Sequence, residues 1–144
     1  MMSADTISAL NRLYYLVKRS FAAYSLDVRP VTFRGPEEMY DLLKQIVGEQ
    51  RTLAEHIAEA IRERRAAVDP GQFPIEFTAW NDVALPRVLE RSLELLRRVV
   101  SEADAIAEEN PQPPVYHFAR EVRHLASRHA EQIEQALGTK SQAV

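Results

Sequence analysis

The sequence contains no cysteine, only four glycines and no long hydrophobic run. The absence of cysteine excludes disulfides, thiolate nucleophiles and cysteine-bound zinc or iron–sulfur centres. The glycines form neither a dinucleotide-binding fingerprint nor a Walker motif, so no nucleotide-binding loop is predicted. No segment approaches the roughly 20 apolar residues of a membrane span, and the first residues lack the pattern of a secretory signal. We therefore expect a cytoplasmic protein with no membrane partner.

The net charge of the chain also limits the kinds of partner that it is expected to bind. The 144 residues include 18 Lys and Arg against 21 Asp and Glu, which gives a formal net charge of -3. Such a chain has no overall positive field that attracts nucleic acid, and its arginine groups are interleaved with glutamate as on an ordinary helix surface. No serine has the histidine and acid context of a catalytic triad. The sequence thus favours a non-catalytic protein that does not bind nucleic acid.

Apolar residues recur at alternating steps of three and four along most of the chain. This spacing is typical of amphipathic helices that pack one face against a core, and no segment alternates as a strand does. Proline and glycine divide the pattern into four segments. The predicted helices run from Ile7 to Val28, from Pro36 to Ala66, from Trp80 or Asp82 to Glu109, and from Pro114 to Leu137, where Gly138 is placed to end the last one.

The lengths of the connections predict how these helices are arranged. Short proline-rich turns at Pro30–Pro36 and Asn110–Pro114 favour antiparallel neighbours. The connection from Asp69 to Ala79 is longer and carries apolar residues, so it is expected to cross over the bundle. The predicted fold is all-α: a single domain over residues 1–144, with a frayed tail at about 139–144. We expect a ferritin-like antiparallel four-helix bundle with one long crossover between helices 2 and 3, and a simple up-down-up-down bundle is the competing arrangement.

The last helix carries the motif Glu121-x-x-His124, which places a carboxylate and an imidazole one turn apart. In ferritin-like bundles two such motifs and two further glutamates hold a pair of iron or manganese ions, and here only one copy is present. A surface pair of the same two residues is the competing interpretation. Helix two offers further oxygen and nitrogen donors at Glu49 and His56, of the kinds that iron, manganese and zinc accept. With His129, these are the candidate metal ligands.

His129 lies on the apolar stripe of the last helix rather than beside it. Its ring is therefore expected to be buried, and a buried imidazole needs a hydrogen-bonding partner. Helix two has a polar interruption at Gln50, with Glu49 one residue before it, which makes this the expected source of the partner. A core histidine bonded to a glutamine or a carboxylate is the alternative to a histidine that binds a metal ion.

Several segments resemble the ferritin-like superfamily and, more loosely, its miniferritin branch. Leu10-Asn11-Arg12-Leu13 is similar to the opening of a first ferritin-like helix. Arg34-Gly35-Pro36, followed by Glu55-His56-Ile57, is similar to the turn and second helix of that branch, and Glu121-x-x-His124 resembles the metal motif of the final helix. The resemblance implies a four-helix bundle built around a di-iron centre.

The chain departs from that family pattern at two positions. A basic residue, Lys18 or Arg19, occupies the region where helix one supplies a glutamate, and Thr52 stands where the helix-two motif has its histidine. The segments around His56 and His129 also resemble the histidine segments of DinB-type metal-binding bundles, in which a third histidine would replace Leu125. Neither set of metal ligands is complete.

The leading hypothesis is therefore a ferritin-like bundle that has lost a complete di-iron site and acts as a binding or assembly module. We expect a homodimer, with Tyr15, which lies off the main stripe, marking the dimer face. The alternative is a metal-binding protein with one Fe, Mn or Zn ion in a mononuclear or altered site between helices 2 and 4. The cofactor is accordingly none, or one such ion, and the sequence indicates no particular small-molecule ligand.

Overall fold

The computed structural model describes residues 4–28, 35–80 and 83–142. Every regular element within these ranges is a helix, which confirms the all-α class. No helix in the described ranges is both long and apolar enough to cross a membrane. The elements are α1 (Ala4–Lys18), α2 (Phe21–Val28), α3 (Glu37–Glu63), a 3₁₀ helix (Ile75–Trp80), α4 (Leu85–Glu109) and α5 (Val115–Gln142).

The first predicted helix is in fact two helices that meet at Ser20. The Ser20 hydroxyl accepts a hydrogen bond from the Ala23 amide at 3.0 Å, as the N-cap of a helix does. The same hydroxyl donates to Oε1 of Gln50 in α3 at 2.6 Å. The break was not predicted because the buried stripe continues across it, from Val17 to Phe21, at the usual spacing of four.

The ends of the other helices also differ from the prediction. The second predicted helix stops at Glu63 rather than Ala66, because Arg65 adopts a left-handed conformation with φ of 57°. Trp80 belongs to the 3₁₀ helix, and the next α-helix begins at Leu85 with a proline in its first turn.

The last helix passes through Gly138 and ends at Gln142, so Gly138 does not terminate it as predicted. A glycine permits a helix to end but does not force it to. Three predicted features lie outside the described residues: the turn at Pro30, the helix start at Asp82 and the last two residues of the tail, 143–144.

The helices pack around two adjoining clusters of buried side chains. One cluster joins α1 to the C-terminal half of α3 and to the α4–α5 pair, through residues such as Leu13, Ile57 and Ile106. The other joins α2 to the N-terminal half of α3 and to α4 and α5, through Phe21 and Leu43. The α1–α2 break therefore lies where one part of the core passes into the other.

The connection between α3 and α4 packs over α1 and α2, as its apolar residues indicated. Phe73, Phe77 and Trp80 lie against the second cluster. The ring centroids of Phe21 and Phe77 are 5.1 Å apart in an edge-to-face arrangement. This part of the chain, residues 64–84, is called the α3–α4 connection below.

Candidate functional site

Four of the five predicted metal ligands line one surface groove between α3 and α5. Glu49 and His56 reach it from α3, and Glu121 and His124 from α5, in a space of about 360 Å³. The alternative hypothesis from the sequence concerns a site between helices 2 and 4, and these four residues line a groove between the corresponding helices, α3 and α5. This groove is called the α3–α5 groove.

The groove does not hold its donors in the arrangement of a formed metal centre. Among the described residues, no group of three His, Asp or Glu side chains is placed to hold an ion. Glu121 lies 3.9 Å from His117, one turn before it, and no hydrogen bond or ion pair joins it to His124. His56 and His124 are both exposed and have no hydrogen-bonded partner within the described ranges.

The fifth predicted ligand, His129, is fully buried beside the groove, with 0% of its surface exposed. Its Nε2 lies 2.7 Å from Oε1 of Glu49, so the partner expected from helix two is the carboxylate. Arg128 lies 3.2 Å from the same carboxylate oxygen. These contacts join α5 to α3.

Burial and hydrogen bonding set the charges of this pair. Burial lowers the pKa of His129, and the hydrogen bond to Glu49 acts in the opposite direction without reversing the shift. The hydrogen bond from His129, assisted by Arg128, lowers the pKa of Glu49 below its ordinary range. At neutral pH a neutral imidazole therefore donates its Nε2 proton to an ionised carboxylate. The other ring nitrogen, Nδ1, is buried without a hydrogen-bonding partner in the described structure. Because Nε2 is occupied by Glu49 and the contact joins two helices, the pair fits a structural role better than a metal-binding one.

A second and larger cavity lies at the α1–α2 break, beneath the α3–α4 connection. It has a volume of about 620 Å³ and is bounded by α1, α2, α4 and the connection. Its walls are mainly apolar and include Leu16, Phe21, Leu96 and Val99. We call it the connection cleft. Cavities of this size and character are typical of small-molecule sites.

Two buried polar side chains line the cleft, and one of them has unused hydrogen-bonding capacity. Gln50 is 3% exposed and Ser92 is 2% exposed. Within the described ranges, Gln50 accepts a hydrogen bond from the Ser20 hydroxyl through Oε1. The Ser92 hydroxyl is buried without any partner in the same ranges. Since buried polar groups in native proteins are almost always paired, the Ser92 hydroxyl is available to a bound molecule.

An ordered cation also lines the cleft. The Arg19 Nε donates to the carbonyl oxygen of Pro70 at 3.0 Å, and the guanidinium lies 4.9 Å from the centre of the Phe73 ring. These contacts fix the guanidinium plane. Its two terminal nitrogens make no hydrogen bond to the described part of the chain.

The cleft was not predicted, although the sequence contains part of the signal. Gln50 was recognised as a polar residue among apolar positions of α3. Ser92 carries the same signal, since it lies three residues after Leu89 and four before Leu96 on the buried stripe of α4. Tyr15, interpreted as a dimer-face marker, instead lines the cleft and donates its hydroxyl to the Gln72 carbonyl at 3.1 Å.

The α3–α5 groove and the connection cleft differ in the chemical groups that line them. The α3–α5 groove contains the predicted metal-ligand types in an open arrangement, and the connection cleft contains neutral donors and a cation around apolar walls. The likeness to ferritin-like proteins rests on the sequence motifs alone, since the chain matches no protein-family model, no curated protein and no solved structure.

Proposed function

We propose that the protein is a non-catalytic cytoplasmic binding module that holds a small organic molecule in the connection cleft. The observation that carries this proposal is the buried, unpaired hydroxyl of Ser92 at the wall of a cavity of about 620 Å³. An unpaired buried polar group costs about 1 to 3 kcal/mol, and a ligand that supplies the missing partner offsets that cost. The buried polar side chains of the lining, Gln50 and Ser92, are neutral, which favours binding over acid–base chemistry.

The frame proposed for this module is a ferritin-like four-helix bundle. In this assignment α1 and α2 together form the first helix, and α3, α4 and α5 form the other three. The long α3–α4 connection and the short α4–α5 turn support it, because that order of connections is typical of the ferritin-like topology. Lys18 and Thr52 stand where di-metal ligands would be needed, which supports a frame that has lost that centre.

The binding proposal is tested with 1-decanol, a neutral amphipathic probe, by isothermal titration calorimetry. We expect saturable binding of one molecule per chain. Leu95→Trp fills the cleft from α4 and should abolish binding, whereas Ser101→Trp, at an exposed position of the same helix, should leave it unchanged. Circular dichroism confirms that both variants remain helical. Equal binding to the two variants, or no saturable binding to the wild type, rejects the proposal.

The alternative function is metal binding in the α3–α5 groove. The observation that favours it is that Glu49, His56, Glu121 and His124 share one groove. Protein purified without chelator is analysed for Fe, Mn and Zn. A stoichiometric metal that is lost in His56→Ala and His124→Ala, but kept in His117→Ala, supports this function. Folded protein without metal rejects it.

We also propose that the chain forms a homodimer. Large hydrophobic side chains remain exposed within the described ranges at Val28, Ile75 and Tyr116, and Ile75 is the most exposed of them at 79%. Apolar side chains left in water favour association with a second copy.

A further inference from the structure

We infer that the ligand of the connection cleft is an apolar carboxylate whose anionic group is bound by Arg19. This inference rests on the proposed function, because it specifies the chemical class of the molecule that the same cleft holds. It draws on the charges around the cleft and on the way in which Arg19 is held.

Arg19 is the cation best prepared to bind an anion in the cleft. It is partly buried at the end of α1, and its Nε is engaged by the Pro70 carbonyl at 3.0 Å. The ring of Phe73 packs against the guanidinium with a separation of 4.9 Å. Little side-chain entropy is therefore lost on binding. The remaining terminal nitrogens form a planar donor edge that suits the two oxygens of a carboxylate.

No ion pair within the described ranges joins this guanidinium to a carboxylate. Three arginines and two carboxylates line the cleft. Asp69 accepts a hydrogen bond from the Gly71 amide at 3.1 Å, and its carboxylate forms no ion pair among the described residues. Arg12 lies 3.9 Å from Glu109. Arg98 and Glu102 are exposed on α4 four residues apart, a spacing at which opposite charges offset one another.

The walls of the cleft determine the rest of the ligand. Leu16, Phe21, Leu96 and Val99 offer apolar surface to a hydrocarbon chain or ring, and burial of that surface supplies most of the affinity. Gln50 and Ser92 can donate to an oxygen of either an alcohol or a carboxylate. Arg19 is the group that distinguishes between them, because it favours only the charged one.

The test compares three probes that share a hydrocarbon chain and differ in head group. Each is used below its solubility limit or its micelle-forming concentration. These are decanoate, 1-decanol and decyltrimethylammonium, titrated calorimetrically into the wild type. We expect decanoate to bind at least about tenfold more tightly than decanol, because a charge-assisted hydrogen bond is worth about 1.5 to 3 kcal/mol. The cationic probe should bind more weakly than decanol.

Variants then assign the preference to Arg19. Arg19→Gln should abolish the preference for decanoate over decanol, while Arg19→Lys, which keeps the charge but loses the planar donor edge, should retain part of it. Arg97→Gln is the matched control, because Arg97 is exposed on α4 and pairs with Glu134 away from the cleft at 3.1 Å. It should bind all three probes like the wild type.

The outcomes separate this inference from the proposed function. If decanol and decanoate bind equally, or if the preference for decanoate survives in a folded Arg19→Gln variant, the carboxylate class is wrong and the binding module stands. If the cationic probe binds most tightly, the class is also wrong. If decanol does not bind the wild type, the proposed function itself is rejected, and the inference with it.

Discussion

Ser92 and His129 show two ways in which one polar residue occupies an apolar helix stripe. The Nε2 atom of His129 is hydrogen-bonded to Glu49, which joins α5 to α3. Ser92 has no partner in the described structure, although its hydroxyl is just as deeply buried. The first arrangement stabilises the fold, whereas the second leaves an unsatisfied group that a ligand can satisfy.

Replacement of Ser92 should therefore separate stability from binding. Ser92→Ala removes an unpaired buried hydroxyl and improves helix propensity, so the free energy of unfolding should rise by about 1 kcal/mol. Decanol binding should weaken by about tenfold, because the ligand loses a hydrogen bond. Urea titration measures the first effect and calorimetry the second. The exposed Ser101→Ala shares only the change in propensity, and a Ser92→Ala variant that is less stable than wild type contradicts the assignment.

His129 should make the stability of the protein sensitive to mild acid. Its pKa in the folded state is lowered by burial from an ordinary value of 6.5, so the unfolded chain takes up the proton first. The contribution of His129 to the free energy of unfolding is therefore present above pH 6.5 and is lost as the pH falls below that value towards the folded-state pKa. Glu49, whose pKa is also lowered, adds a loss of the same sign that begins only below its ordinary value of 4.5.

The variant His129→Gln tests this pH dependence. Glutamine can still donate to Glu49 but does not titrate, so urea unfolding of the variant should change less than that of the wild type between pH 6.5 and about 5. His124→Gln changes an exposed histidine on the same helix and should keep the wild-type slope. A His129→Gln variant with an unchanged slope would show that the acid sensitivity comes from elsewhere.

Residue patterns could predict the burial of His129 because that property depends on its own helix alone. Its position on the stripe indicated a core location, and the polar interruption at Glu49 and Gln50 indicated where a partner would come from. The sequence could not say which of these two residues makes the contact. That choice depends on the rotation of α3 against α5, which the tertiary packing sets.

The α3–α4 connection approaches α1 closely at Gly71. Gly71 has φ of 59°, and a Cβ atom there would lie 2.8 Å from a ring carbon of Tyr15. Both the backbone conformation and the contact therefore exclude other residues. The connection can lie against α1, and close one side of the cleft, only because this position has no side chain.

Two glycine substitutions test that interpretation in opposite directions. Gly71→Ala should lower the free energy of unfolding by about 1 to 3 kcal/mol, because alanine is strained at a left-handed position and meets Tyr15. Gly48→Ala in α3 should raise it by about 0.5 to 1 kcal/mol, because nothing lies within 4 Å of the added Cβ and alanine favours helix. Thermal and urea unfolding measure both. A neutral Gly71→Ala would mean that the connection is free to shift away from α1.

The helices were predictable where a periodic stripe and a proline-rich turn coincide, as at the end of α4. The break at Ser20 was not, since apolar periodicity reports which face is buried and not whether the axis continues. A serine between Arg19 and Phe21 looks like any polar residue of a helix. Its role as a cap becomes visible only with the Gln50 contact, which joins residues far apart in the chain.

The proposed homodimer predicts the mass of the protein in solution. Sedimentation equilibrium at micromolar concentration should report twice the chain mass of 16.4 kDa. Ile75→Asp should shift the species towards the monomer, because it places a charge on the most exposed large hydrophobic side chain of the described residues. Glu76→Asp, a conservative change at the next position, is the control. A wild-type protein that sediments as a monomer rejects the dimer.

No single segment of the chain forms the connection cleft. Its lining comes from α1, α2, α3, α4 and the α3–α4 connection, so no local motif announces it. The individual helices could be predicted from the sequence, but a cavity is the space left between them. Its existence depends on crossing positions that apolar periodicity does not specify.

The manner in which α1 holds the connection has a consequence for how this sequence can vary. Asn11, Tyr15 and Arg19 donate to the backbone carbonyls of residues 67, 72 and 70 respectively. A backbone carbonyl is present whatever the side chain, so the connection can change its residues at these three positions and keep the bonds. The donors on α1 have no such freedom. In related chains the helix should therefore retain its residues at 11, 15 and 19 while the segment that it holds diverges.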